Sequence, residues 1–403
     1  MKLPARIAAF VAKQKQHSLY RYRRTLETPQ GPEVIVNGRA LINFSSNDYL
    51  GLANHPKIIA AFKQAADDYG VGSGASHLVV GHSRLHHELE ERLADFVGCE
   101  RVLLFSSGYM ANLGTLNALT ERGDVILQDK LNHASLLDAG LLAEAAMKRY
   151  RHGDMKALAS RLTAVAETAQ AFTVTDAVFS MDGDLAPLPQ MVQLCEQYQS
   201  LLMIDDAHGF GVLGEQGKGA LQHFGLTSSD VPVYMATLGK ALGVCGAFVA
   251  GSEDLIDYLI QRARNYIYTT ALPPAAAGAT LMALQVLEQE SWRRRHLQEL
   301  IRAFRQQMAP CRHLLLNSQT AIQPVLVGEA EKALALSDYL QQQGFLVSAI
   351  RPPTVPKGTA RLRITLTAAH SQQQVSQLVA ALLRLLPELL PELANNVQQE
   401  SSG

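Results

Sequence analysis

The sequence predicts an α/β protein with a large domain on a mostly parallel sheet, helices on both faces, and a smaller α+β domain after it. Three observations carry this. Between Arg101 and Ala250, short β-prone runs alternate with helical patterns, a rhythm that demands crossover connections. From about Gln289 the pattern turns to charged helices separated by strand-like runs. Length completes the case, because 403 residues of 47% hydrophobic composition can bury one large core and a satellite without disulfides or metals.

In chain order, Met1 to Arg24 is basic and free of acids, a composition that can mark a mitochondrial transit peptide. Serine is nearly absent, and Ile7, Phe10 and Val11 at helical spacing read instead as a first helix docked on the body. Glu33 to Leu41 alternates around Asn37-Gly38, a hairpin signal, and Asn43 to Gly51 is a polar turn. A helix should run from His55-Pro56 to Tyr69. The following G-V-G-S-G-A, Gly70 to Ala75, formally matches a dinucleotide fingerprint but follows a helical pattern, so a nicotinamide site is not expected.

His82, His86 and Glu90 share a helix face at i, i+4, i+8. H-E-x-x-H is absent and solvated charges share the face, so no metal is expected. Strands are expected at Val102–Phe105, Val125–Gln128, Ala171–Ser180, Leu201–Asp205, Val231–Ala236 and Ala247–Ala250, with helices at Met110–Thr120 and about Leu136–Met147. Beyond Trp292, strands at Ala321–Leu326, Leu346–Ile350 and Arg361–Leu366 alternate with helices at Glu329–Gln343 and Gln372–Leu386. Pro387 and Pro391 should break the last helix. The divisions are therefore 1–45 for the first helix and hairpin, 46–288 for the large domain, 289–390 for the small one and 391–403 for a flexible tail.

Composition narrows the function. A net charge of −1 with scattered basic residues argues against a nucleic-acid partner. Cys99, Cys195, Cys245 and Cys311 form no C-x-x-C pair, which argues against zinc or disulfides and fits a reducing cytoplasm. No apolar run is long enough to span a bilayer.

The chemistry centres on V-P-V-Y-M-A-T-L-G-K-A-L-G-V-C-G-A-F-V-A, Val231 to Ala250, where Lys240 is the only charge in a small-residue loop. A lysine so placed can lose its proton near neutral pH and act as a nucleophilic amine. Gly239, Gly243 and Gly246 permit close backbone approach, and Thr237 offers a hydroxyl to a phosphate. Polar residues at the other expected strand ends are Ser107-Gly108-Tyr109, Asn132-His133, Ser180 and Asp205 to His208, where an open α/β sheet lines its ligand crevice.

With these residues together the chain resembles the α-oxoamine synthase family of fold-type I pyridoxal-phosphate enzymes. The matching runs are N-F-S-S-N-D-Y-L-G at 43, F-S-S-G-Y-M-A-N at 105, N-H-A-S at 132, V-F-S-M-D-G-D at 178, D-D-A-H-G-F-G at 205, T-L-G-K-A-L-G at 237 and Y-T-T-A-L-P-P at 268. R-Y-R-R at 21 and R-P-P-T-V-P at 351 resemble, within that family, members that join L-alanine to a pimeloyl thioester. The resemblance implies a seven-stranded, mostly parallel sheet, pyridoxal 5'-phosphate as cofactor, and a cytoplasmic homodimer with the active site at the subunit interface. It implies an acyltransferase of biotin biosynthesis that takes L-alanine and pimeloyl-CoA or pimeloyl-acyl carrier protein. A relative using glycine and acetyl-CoA, or a catalytically silent scaffold subunit, is the alternative.

The same resemblance assigns roles. Lys240 holds the cofactor's aldehyde and then serves as base at the amino-acid Cα, while Asp205 pairs with the ring nitrogen. His133 stacks on the ring, and Ser180 and His208 bond around its phenolic oxygen. Thr237 with the amides of Gly108 and Tyr109 suits the phosphate, and Thr269 and Thr270 reach that of the neighbouring subunit. Arg351 clamps the amino-acid carboxylate, Arg21 faces the distal carboxylate of the acyl chain, and Thr354 lines the substrate pocket. One departure is G-S-G-A-S-H at 72, where many relatives have G-S-G-G-S, so Ala75 and His77 bear on acyl-chain fit while Ser76 matches.

Overall fold

The computed structural model of the protein describes residues 2–389. The tail expected at 391–403, with Pro391, lies outside the described residues. The chain divides into two compact units, one comprising residues up to Tyr49, Met181–Gly183 and those from Arg295 onward, the other Leu50–Ser180 and Asp184–Arg294.

In the first unit the Asn-Gly signal gives a hairpin, with β1 (Glu33–Val36) antiparallel to β2 (Arg39–Asn43). Asn37 and Gly38 have φ of 50° and 75°, as a two-residue turn matched to strand twist requires. The helix before it, Leu3–Gln16, corrects the sequence expectation: it buries no residue, and Ile7 and Phe10 are 55% and 62% exposed. Periodicity reveals which face is apolar, but not what covers it.

The second unit holds the main sheet, formed by β3 (Arg101–Phe105), β4 (Val125–Asp129), β5 (Ala146–Tyr150), β6 (Ala171–Asp176), β7 (Leu201–Asp205), β8 (Val233–Thr237) and β9 (Ala247–Gly251). Their order is β3-β9-β8-β7-β6-β4-β5, and only β9 runs antiparallel to the rest. Every residue of β4, β6 and β9 is buried, so these strands lack the apolar-polar alternation of a half-exposed sheet. Leu103, Phe105, Ile126, Val174, Met203, Val233 and Val249 join one core with Ala111 and Leu116 of helix Gly108–Leu119. Each large apolar side chain so buried contributes roughly 1.5–3 kcal/mol.

Two expectations in this unit are corrected. The helix foreseen at Leu136–Met147 spans Ala134–Leu142, and its last residues belong instead to β5. A-M-K-R-Y has helical propensity, but pairing with β4 at the sheet edge overrides it. The strand foreseen at Ala171–Ser180 ends at Asp176, after which Val178 bridges Leu185 across a turn.

Beyond β5, His152 joins two carboxylates, with Nδ1 3.0 Å from Asp129 Oδ1 and Nε2 2.8 Å from Asp184 Oδ2. Burial opposes its charge, but hydrogen bonds to Asp129 and Asp184 prevail and raise its pKa to about 10. Because that exceeds the value of about 6.5 in the unfolded chain, the stabilisation is complete below pH ~6.5 and lost as pH rises through ~10. The Tm of the protein is therefore expected to fall between pH 7 and pH 10 more steeply than that of His152→Gln. Parallel Tm profiles for the two would contradict this.

The first unit resumes with β10 (Ile322–Gly328), β11 (Phe345–Leu346), β12 (Ser348–Ile350) and β13 (Ala360–Thr365). β10, β13 and β12 form an antiparallel sheet, whereas β11 joins the hairpin in parallel to β2. The single strand expected at Leu346–Ile350 is thus split at Val347, whose carbonyl takes the Ser337 hydroxyl at 2.6 Å. Pro387 does not stop the last helix, Gln372–Leu389, but sits inside it. Lacking an N–H, it forfeits one intrahelical bond, that to the carbonyl four residues earlier.

Candidate active site

A cavity of about 190 Å³ opens in the second unit at the carboxyl ends of its parallel strands. Gly108 and Tyr109 follow β3; His133 and Ser135 follow β4; Asp176 and Ser180 come from the end of β6; Asp205, Ala207 and His208 from β7; Met235, Thr237 and Lys240 from β8. Strand twist and crossover connections gather polar side chains at this edge of an open α/β sheet. Eight residues expected from the sequence meet here: Gly108, Tyr109, His133, Ser180, Asp205, His208, Thr237 and Lys240.

Lys240 rides a tight loop between β8 and β9. Leu238 N–H bonds to Gly246 O at 2.9 Å, Val244 N–H to Leu238 O at 3.1 Å, and Gly243 N–H to Lys240 O at 3.0 Å. Gly243 has φ +70°, and a Cβ there would stand 2.4 Å from Ala53 N, so only glycine closes this turn. The loop's small residues therefore serve close backbone approach, and the lysine is half-buried at the cavity.

Asp205 and His133 are joined by a buried chain of hydrogen bonds. The Asn112 amide donates to Asp205 Oδ2 at 2.7 Å and to Ser135 Oγ at 2.8 Å, and Ser135 Oγ lies 2.8 Å from His133 Nδ1. Having accepted from Asn112, Ser135 donates to His133, and Ser135 N–H also points at Nδ1. Nδ1 is thus the acceptor, and the ring proton resides on Nε2. Ala207 N–H holds the other Asp205 oxygen at 2.9 Å.

Electrostatics agree with this network. Burial pulls His133 below the usual histidine value, with Lys240 adding to the effect and Asp205 opposing it, so the ring is neutral at pH 7. Asp176, whose carboxylate takes His133 N–H at 2.8 Å, is pushed well above the carboxylate range by burial and by Asp205. Asp206 is pushed up to about 7 by burial; it accepts from Ala220 N–H and Tyr234 OH and props the turn after β7.

At another part of the lining, Ser107 caps helix Gly108–Leu119 by accepting from Met110 N–H, so the amino end of that helix adjoins the cavity at Gly108-Tyr109. Such an end favours an anion. The Thr237 hydroxyl donates to Gly246 O, and the Tyr109 hydroxyl to Asp138. Thr269 and Thr270 lie in the same unit but do not line the cavity. Thr270 is exposed and bridges Ser76, and the neighbouring Ala271 N–H bonds to Ala75 O. His77 is buried with its ring stacked on Tyr266 at 4.9 Å.

Arg21, Arg351 and Thr354 belong to the other unit. Burial and the charge of Arg21 both lower the Arg351 pKa, which marks two guanidinium groups close to one another. Arg351 donates to Ser18 O, and Thr354 N–H bonds to Arg351 O. Two cations held together suit an anion between or beside them.

The cavity suits pyridoxal phosphate in donor chemistry: an amine, a buried carboxylate for a cationic ring nitrogen, a neutral imidazole face and a helix amino end for phosphate. Asn112, Ser135 and Asp176 escaped sequence reasoning. Asn112 sits inside the quoted run at 105 and Asp176 ends a strand, but neither spacing says that they pair with Asp205 and His133.

Comparisons with known proteins agree. Residues 39–382 match the family model for aminotransferase class I and II. The 8-amino-7-oxononanoate synthase of Nitrosococcus oceani is 60% identical over 365 residues, which is 91% of this chain and 97% of that protein. Among solved structures, serine palmitoyltransferase from S. paucimobilis with a bound PLP-myriocin aldimine superposes with a TM-score of 0.91 at 27% identity, covering 96% of this chain and 99% of the other. The 8-amino-7-oxononanoate synthase of Francisella tularensis superposes with a TM-score of 0.75 at 32% identity, covering 90% and 99%. Strand-end cavity, fold and likeness over nine-tenths of the chain agree that this protein belongs to the class I and II aminotransferase family and, within it, to the 8-amino-7-oxononanoate synthases.

Proposed function

We propose that this chain condenses L-alanine with a pimeloyl thioester, carried on CoA or an acyl carrier protein, to give 8-amino-7-oxononanoate in biotin biosynthesis. The reaction joins alanine Cα to the acyl carbon, breaks the thioester C–S bond and releases the alanine carboxyl as CO₂. The observation that carries the reading is the convergence of Lys240, Asp205, His133 and His208 on one cavity at successive strand ends.

Bound there, pyridoxal phosphate supplies an electron sink for carbanion chemistry at Cα. Lys240 would hold the cofactor's aldehyde carbon, and its amine would serve as the base for the Cα proton. Asp205, its two oxygens oriented by Asn112 and Ala207, keeps a proton on the ring nitrogen. His133, neutral and fixed by Ser135, offers a flat face to the ring. Ser180 and His208 serve the ring oxygen, and Thr237 with the amides of Gly108 and Tyr109 the phosphate.

Arg351 is assigned to the amino-acid carboxylate, Arg21 to the distal carboxylate of the pimeloyl chain and Thr354 to the pocket that receives it. A homodimer is part of the proposal, with Thr269 and Thr270 reaching the partner's phosphate. Support comes from apolar side chains exposed in one stretch beside Thr270's partner Ser76, namely Val71 at 88%, Val79 at 71% and Val80 at 81%. The cytoplasm is the proposed compartment: all four cysteines are unpaired, and among the described residues no helix is long and apolar enough to cross a membrane.

Steady-state assays pairing L-alanine or glycine with pimeloyl-CoA, pimeloyl-acyl carrier protein or acetyl-CoA test the assignment. Alanine with a pimeloyl thioester should be the best pair, and a preference for glycine with acetyl-CoA would overturn it. Arg21→Ala should raise KM for the pimeloyl thioester about 10- to 100-fold, the value of a charge-assisted hydrogen bond, with a smaller change in kcat. An unchanged KM would remove Arg21 from the site.

A further inference from the structure

Around the start of helix Arg84–Val97 lies a histidine cluster that the cofactor chemistry does not use. Spacing alone groups His82, His86 and Glu90, but the fold sorts them differently. His86 is fully buried, and both its ring nitrogens are committed: Nδ1 to Ser83 N–H, and Nε2 to the Leu272 carbonyl. His87 turns outward instead. Ligand atoms of His82, His87 and Glu90 all lie within 4.8 Å of one another.

We propose that His82, His87 and Glu90 form a binding site for one divalent transition-metal ion, Zn(II) being the ion that two imidazoles and one carboxylate suit. His82 Nε2 and Glu90 Oε2 stand 3.9 Å apart. That is too long for a hydrogen bond, yet close to the roughly 3.4 Å between two ligands bound at about 2.0–2.1 Å to a tetrahedral ion. Glu90 is only 16% exposed, so a cation would also neutralise a carboxylate that is costly to bury.

Both groups are held from behind, as metal ligands commonly are. Glu90 Oε1 accepts Leu104 N–H at 3.0 Å, which leaves Oε2 for the cluster. His82 Nδ1 is 2.9 Å from His77 Nδ1, a contact in which one ring must donate and the other accept. When His82 donates, its Nε2 presents a bare lone pair, the tautomer that a metal requires. His77 is itself fixed by stacking on Tyr266. His87 is the adjustable member: it is 64% exposed and 3.3 Å from Glu91, so its ring can turn to the ion at small cost. Three protein ligands leave a coordination position for water.

The test is calorimetric titration of EDTA-stripped holoenzyme with Zn(II), repeated on His87→Gln, Glu90→Gln and, as a surface-histidine control, His313→Gln, whose position is exposed in the other unit. The holoenzyme should bind one Zn(II) per chain, both cluster variants should bind at least about 10-fold more weakly, and the control should match the parent. Co(II) should give visible d–d absorption that His87→Gln abolishes. His87 is exposed, so its replacement leaves the fold intact, and Glu90→Gln keeps an acceptor for Leu104 N–H. Absence of a saturable one-per-chain site, or equal affinity in His87→Gln, would overturn the proposal.

Discussion

Lys240→Ala is expected to lower turnover roughly 10³-fold or more, because one substitution removes both the amine proposed to hold the cofactor and the base proposed at Cα, and general-base catalysis alone is worth about 10²–10⁴. The loss should be chemical rather than structural. Lys240 is half-buried on a loop held by its own backbone hydrogen bonds and by the Gly243 turn, so truncation leaves the sheet and its core in place. Far-UV circular dichroism and Tm should therefore stay close to those of the parent. Borohydride reduction of the holoenzyme should attach a pyridoxyl label to the peptide containing position 240, and the label should vanish in Lys240→Ala. Lys240→Arg discriminates further: it keeps the positive charge but is not a nucleophile near neutral pH, so it should be as inactive as the alanine variant. Turnover within 10-fold of the parent in either variant would end the assignment of Lys240.

The parts of this site legible in the sequence are those in which a residue type and its strand-end position carry the signal together. Lys240 stood out because a charge in a small-residue loop is unusual, Asp205 because it closes an apolar run and His133 because it follows an expected strand, both where a parallel strand meets the crevice. Asn112 gave no such signal. It lies within a helix, and its role exists only because helix Gly108–Leu119 packs it between Asp205 and Ser135, residues 93 and 23 positions away. The same limit explains β5, whose pairing with β4 defeats local helical propensity, and the split at Val347, where the two neighbouring short strands join different sheets. It also explains helix Leu3–Gln16: an amphipathic pattern needs a partner surface to be buried, and none of its residues is. Local pattern carried the elements; long-range contacts decided their edges and their company.

Asp205→Asn is the second large effect, and the geometry around it says why so small a change should cost so much. Asp205 is 5% exposed, and its two oxygens accept from Asn112 and from Ala207 N–H. An asparagine removes the negative charge proposed to keep the cofactor's ring nitrogen protonated. It also sets an amide N–H₂ against one of those two donors, leaving a buried donor without an acceptor. Loss of such a preorganised electrostatic partner costs about 10²–10³ in turnover. Asp176→Asn provides the contrast, for Asp176 is buried beside the same cavity and accepts His133 N–H, a bond an asparagine carbonyl can still take. Burial and Asp205 both push Asp176 well above the carboxylate range, so its surroundings favour the neutral form that asparagine imitates. Turnover of Asp176→Asn should stay within about 10-fold of the parent, while Asp205→Asn falls by at least about 10²; equal losses in the two variants would mean that the pocket needs carboxylates in bulk rather than one charge at one ring atom.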